Sequence, residues 1–300
     1  MIARAMVVAV VLFAAYSLAL SVKPVRARFT ALQGQWQTNL VKAEEYALAE
    51  PRPPGAVVGS SLAVRLAFSP LSRDFFNLAL AGDGPLTGLE VIRRSGVFPR
   101  VLLIEANVVL REQNPVILDH LAQPLRPALQ TKLWSLRERY QPANLLAGNF
   151  GQRIVRAVLA APRQLLGSRD AAAPSRKAEA ERDTRLFEAE LARQQEQYGR
   201  APDPVLLERR IAELKQGVAE LERIGVRCIL LEMPIDATLL PLPGTMVTQA
   251  ALARAFPADR YRWLRPEPDR RYETTDGLHL ALPEAHALGT RIRAELGAEW

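Results

Sequence analysis

The chain has 300 residues, 49% of them hydrophobic and 24% charged, a composition that suits one large or two small globular domains and excludes a disordered chain. Its 39 Lys and Arg against 32 acids give a net charge of +7, which fits an anionic partner such as lipid headgroups or acidic glycan and equally an arginine-rich proteome. Zinc-ligand spacing, basic–aromatic interleaving and nucleic-acid motifs are all missing, so no metal, no cofactor and no nucleic acid are expected.

Eighteen uncharged residues, Ala5 to Val22, follow Arg4 and precede Lys23, Arg26 and Arg28. That length reaches the lower edge of a membrane span and exceeds the usual signal-peptide core, so residues 1–28 read as an uncleaved anchor. A signal segment is the alternative, because Ser17-Leu18-Ala19 is a small-x-small pattern. Residues 29–54 read as a polar helical stalk ended by Pro51, Pro53 and Pro54. The folded domain is then 55–300.

Gly55 to Leu66 (GAVVGSSLAVRL) is an apolar run, a Gly-Ser-Ser turn and a helical resumption, the pattern of a buried strand feeding a helix whose N-terminus Ser60 or Ser61 caps. Asp74 to Ala81 is a second apolar run closed by Gly82, Thr87 to Arg94 is helical, and Arg100 to Ala106 is a third run ending at Asn107. Short buried runs alternating with helices predict an α/β fold with a parallel sheet. Ligands of such sheets lie beyond the carboxyl ends of the strands, where Ser61, Gly82 and Asn107 all fall. Each is also an ordinary turn former.

Residues 108–202 interrupt the alternation and read as a helical insertion. Leucines at 118, 121, 125, 129, 133 and 136 have a helical spacing that Pro124 and Pro127 break. Phe150 to Arg169 is a basic amphipathic stretch, fit either to pack on the sheet or to rest on anionic lipid. Ala171 to Ala201 is charged and poor in large apolar residues, which predicts a solvated helix or arm without chemistry. After it come the amphipathic Leu206 to Ile224, a fourth strand within Val226 to Met233, a short fifth strand over Tyr261 to Leu264, and a C-terminal helix from Pro283 to Leu296. The single cysteine, Cys228, lies in the fourth strand and reads as a buried thiol rather than a nucleophile.

Asp276-Gly277-Leu278-His279 carries the chemistry. Serine needs an imidazole to take its proton, and the imidazole works best when a carboxylate fixes its tautomer. Of the three histidines, His120 lies in the insertion and His286 in the terminal helix, which leaves His279 as the base candidate with Asp276 as its partner.

Four blocks in this order resemble the SGNH, or GDSL-type, hydrolase superfamily: Gly59-Ser60-Ser61-Leu62, Asn77 to Gly82, Ile104-Glu105-Ala106-Asn107 and Asp276 to His279. The resemblance spans about 55–110 and 205–298. It implies a flavodoxin-like three-layer α/β/α sandwich, with Ser61 as nucleophile, His279 as base and Asp276 as its orienting carboxylate. It also implies an oxyanion hole made of Ser61 N–H, Gly82 N–H and the Asn107 amide. Ser60 replaces the family's aspartate in the serine block, and Glu105 and Val108 replace a glycine and an aspartate around Asn107. With a membrane anchor, the chain looks most like extracytoplasmic members that add or remove acetyl groups on cell-surface polysaccharides. The expectation is therefore an O-acetylesterase or O-acetyltransferase at the cytoplasmic (inner) membrane with a periplasmic domain, acting on a polysaccharide or other ester, with or without a membrane acyl-donor protein. Two alternatives remain: a non-catalytic scaffold of the same fold, favoured by Glu105 and Val108, and a membrane-lipid esterase, motivated by Phe150 to Arg169.

Overall fold

Five short apolar runs pair side by side and in parallel. In the computed structural model, which describes residues 1–26, 34–122, 126–142, 176–268 and 270–297, they are β1 (Gly55–Gly59), β2 (Phe75–Ala79), β3 (Val101–Glu105), β4 (Arg227–Leu231) and β5 (Trp263–Leu264). Their spatial order is β2-β1-β3-β4-β5. In register, Val57 stands opposite Asn77 on one side and Leu103 on the other, and Ile104 stands opposite Leu230. Every residue of β1 and β3 is buried, as expected of a parallel sheet covered by its crossover connections.

Alternation along the strands sends successive side chains to opposite faces. Val57, Leu103, Ile229 and Leu231 join one core with Leu62, Leu71 and the inner side of the Leu282–Leu296 helix, Ala285, Leu288 and Ile292. The neighbouring residue, Val58, meets the Pro85–Ser95 helix at Gly88, where a Cβ would lie 2.7 Å from Val58 Cγ1. Only glycine lets the helix approach that closely. Cys228 is buried in β4, and burial pushes its thiol up to about 12, so it stays a protonated core residue at neutral pH.

Contacts divide the described residues into two units. One unit holds the sheet and draws on Ala49–Leu118 and Pro174–Trp300; the other draws on Met1–Leu48 and Asp119–Ala173. The second begins with the Ile2–Ser21 helix, whose 20 residues and mean hydropathy of 2.1 make it long and apolar enough to cross a membrane. Near its end, the Tyr16 hydroxyl donates to the Tyr140 carbonyl, and Ser17 Oγ lies 2.7 Å from Ser135 Oγ. The expected stalk is helical over Gln35–Ala47, but one of its sides is buried through Leu40, Val41, Ala43 and Tyr46. Glu44 on that side accepts from Gln130 Nε2 at 2.5 Å and from the Glu138 N–H at 2.8 Å. The leucine-spaced stretch after residue 115 contains the helices Pro115–Leu121 and Arg126–Lys132. The basic stretch Phe150 to Arg169 lies outside the described residues.

Candidate active site

Topology selects one edge of this sheet. Connections leave β1 toward β2 on one side, while β3 lies on the other, so the order reverses beside β1 and a crevice opens beyond its carboxyl end. A cavity of about 970 Å³ occupies that edge, bordered by Ser61, Gly82, Asn107 and His279 among others. The four come from the ends of β1, β2 and β3 and from the loop before the last helix.

The serine turn is built by its neighbours. Ser60 caps the short helix Ser61–Val64, its Oγ accepting the Leu62 N–H at 3.2 Å, and its carbonyl accepts the Ala63 N–H at 3.2 Å. Of the two serines the sequence offers as caps, Ser60 is the one that caps. Asn77 braces the same helix from β2, donating from Nδ2 to the Ala63 carbonyl at 2.8 Å and accepting the Ala79 N–H at 3.0 Å. Among the described residues the Ser61 N–H has no acceptor, and neither has the N–H of Gly82. Gly82 sits at φ 81°, a left-handed turn suited to glycine.

Asn107 is held by a reciprocal pair with Met233 beyond β4. Its Oδ1 accepts the Met233 N–H at 2.7 Å and its Nδ2 donates to the Met233 carbonyl at 2.9 Å. An amide nitrogen carries two hydrogens, so one remains for the cavity. Glu105, which departs from the family pattern, is fully buried, and its Oε2 accepts the Ser60 N–H at 2.6 Å while its Oε1 accepts the Val108 N–H at 3.1 Å. The departure therefore joins the serine and asparagine turns rather than loosening them. Burial pushes this carboxyl above the usual range, against hydrogen bonds from Ser60, Val108 and Asn107 that favour the anion.

Asp276 and His279 form a closed loop. Gly277 turns the chain at φ 88°, which lets Asp276 Oδ1 accept the N–H groups of Leu278 at 3.1 Å and His279 at 2.7 Å. Asp276 Oδ2 meets His279 Nδ1 at 2.6 Å. Nδ1–H then donates to the carboxylate and Nε2 is left as the acceptor. Partial burial raises the Asp276 carboxyl, but its bonds from His279 and Leu278 outweigh this and bring it to about 2. Among the described residues no direct hydrogen bond joins Ser61 to His279.

The chain matches no family model and no curated protein.

The other histidines stand elsewhere. His120 Nε2 lies 3.6 Å from Glu44 Oε2 in the unit that holds the apolar helix, and His286 is exposed. Among the described residues, no cluster of His, Cys, Asp and Glu could hold a metal ion.

The cavity also recruits residues the sequence reading passed over. Glu232 and Arg265 follow β4 and β5 directly and border it, so the carboxyl-edge rule that singled out Ser61 applies to them too. Arg265 lies 3.8 Å from Glu232 and stacks 4.8 Å from the centre of the Trp263 ring. Within Ala171 to Ala201 the described residues form the largely exposed helix expected, but its end is not free of the site. The end of the Arg176–Tyr198 helix packs on the sheet unit, with Gln194 buried, Gln195 Nε2 donating to Thr238 Oγ1 at 3.2 Å, and Tyr198 bordering the cavity. Leu191 rests against the acid–histidine turn, since a Cβ at Gly277 would fall 2.7 Å from its Cδ1. Few apolar residues suffice there because the contact is local and partly polar.

Proposed function

We propose that the protein is a serine-dependent acyl-transfer enzyme of SGNH type, an O-acetylesterase or O-acetyltransferase for cell-surface or exported polysaccharide. The observation that carries this reading is the convergence of Ser61, Gly82, Asn107 and His279 on one cavity, with His279 Nδ1 bonded to Asp276. In this reading His279 Nε2 takes the Ser61 proton as Oγ attacks the ester carbonyl. The oxyanion then receives hydrogen bonds from the Ser61 and Gly82 N–H groups and the Asn107 amide. The leaving alcohol takes the proton back from His279, and water or a sugar hydroxyl resolves the acyl-enzyme by the same route in reverse.

The strand order β2-β1-β3-β4-β5 supports a flavodoxin-like three-layer sandwich, with its site at the β1–β3 reversal. Trp263 and the side-chain amides of Gln194, Gln197 and Gln249 border the cavity, surfaces suited to a sugar ring and its hydroxyls. Under this proposal the Ile2–Ser21 helix anchors the chain in the cytoplasmic membrane and the sheet unit faces the periplasm, where a membrane acyl-donor protein can serve it.

Full-length protein in detergent tests the reading. Turnover of an aryl acetate should fall by at least about a thousandfold in Ser61→Ala, and a fluorophosphonate should label the parent at Ser61. Full turnover in the variant together with an unlabelled Ser61 would sink the proposal.

A further inference from the structure

Glu105 is the least expected residue near the cavity, a carboxylate with no exposed surface in the middle of a parallel sheet edge. A buried carboxylate is costly unless its lone pairs are used. Here both oxygens are used, and on different turns. Oε2 accepts the Ser60 N–H at 2.6 Å, and Oε1 accepts the Val108 N–H at 3.1 Å. Room for the carboxylate comes from Gly59, where a Cβ would stand 2.5 Å from Glu105 Cβ and 2.8 Å from Oε2. Glycine and glutamate are therefore a fitted pair across β1 and β3.

The consequence falls on the amides that remain. In the serine turn, the Ser60 N–H goes to Glu105, the Leu62 N–H to Ser60 Oγ and the Ala63 N–H to the Ser60 carbonyl. Ser61 N–H is the one left over, aimed by the fixing of the peptides on either side. In the asparagine turn, Glu105 holds the backbone at Val108, the residue after Asn107, while Met233 holds the Asn107 amide. One side chain thus sets the spacing between two of the three donors.

We infer that Glu105 is a positioning residue, a buried carboxylate clasp that fixes the Ser61 N–H and the Asn107 amide at the separation an oxyanion requires, with Gly59 as its steric counterpart. The inference rests on the acyl-transfer reading for its catalytic meaning, but the clasp itself has a readout independent of turnover. Donors of this kind act only when their positions are set before the charge develops, so a looser clasp lowers kcat while leaving substrate binding largely in place.

Glu105→Gln preserves shape but presents an NH₂ group to one of the two N–H donors, and Glu105→Gly empties the site beside Gly59. In the full-length protein, amide hydrogen exchange in Glu105→Gln should accelerate together at residues 60–62 and 106–108 while β3 stays protected. Aryl acetate turnover should lose about a hundredfold in kcat with KM within about threefold, the scale of losing one oxyanion donor. Formate or acetate should restore at least about tenfold in Glu105→Gly by reoccupying the clasp. Should Glu105→Gly not fold, Glu105→Gln alone decides through exchange and the kcat–KM split. Unchanged exchange at either turn overturns the clasp, as does an active, folded Glu105→Gln with parental kcat. A parent that neither turns over aryl acetate nor reacts at Ser61 removes the acyl-transfer reading instead, and the exchange result then decides the clasp alone.

Discussion

At residue scale, the pair Asp276–His279 shows how four consecutive residues can build a self-contained hydrogen-bonded turn. The left-handed Gly277 brings the Asp276 carboxylate back onto two N–H groups and the imidazole, and these bonds hold it at about 2 although partial burial opposes them. Because the folded value lies below the ordinary one near 4, the stabilisation is fully present above about pH 4 and is lost as pH falls toward about 2. The slope of the melting temperature against pH should therefore flatten over that window in Asp276→Asn, measured by thermal unfolding of the detergent-solubilised protein. A slope equal to that of the parent would show that the carboxylate is not held in the way described. On the acyl-transfer reading, aryl acetate turnover in the same variant should drop by about two to four orders of magnitude, because asparagine favours the wrong imidazole tautomer.

At the scale of elements, the Ile2–Ser21 helix and the turns around Trp134 belong together. Tyr16 and Ser17, in the last turns of the apolar helix, bond to Tyr140 and Ser135. Trp134 is sandwiched between the guanidinium groups of Arg26 and Arg137, 3.8 and 3.7 Å from its ring centre. If the helix spans a bilayer, these contacts set the aromatic–basic cluster at headgroup depth, the level where tryptophan and arginine are most at ease. A variant retaining Trp134 as its only tryptophan, reconstituted into vesicles containing anionic lipid, should be quenched most strongly by bromines near the glycerol backbone. Equal quenching by bromines at the chain ends, or none at all, would refute that depth.

At the scale of the molecule, the charge excess has a local expression. Arg111, Arg193, Arg200 and Arg265 border the cavity, and among the described residues Arg111 has no ion pair. The root of its side chain lies against Gly84, where an added Cβ would stand 2.9 Å from Arg111 Cβ. On the acyl-transfer reading, Arg111→Gln should raise KM for an acetylated polyuronate several-fold without changing kinetics on a neutral aryl acetate, and added salt should have the same selectivity. Equal effects on both substrates would argue against an anionic partner. How much of this was legible beforehand follows from range. Each strand is a run of apolar residues that must be buried, and the Ser-Ser turn, Gly82, Asn107 and the Asp-Gly-Leu-His loop are local signals at the ends of such runs. Sequence therefore determined the strands, their carboxyl edge and the residues that gather there. Only the tertiary structure decided what Glu105 does, because its partner Ser60 lies 45 residues away and the space it needs is the missing Cβ of Gly59. The same holds for the Arg176–Tyr198 helix, whose composition is that of a solvated arm and whose largely exposed last turns still bury Gln194 and meet Gly277, Thr238 and Gly244 of the sheet unit. Burial patterns are written in the chain itself, whereas a polar bond between distant segments exists only once folding has brought donor and acceptor together.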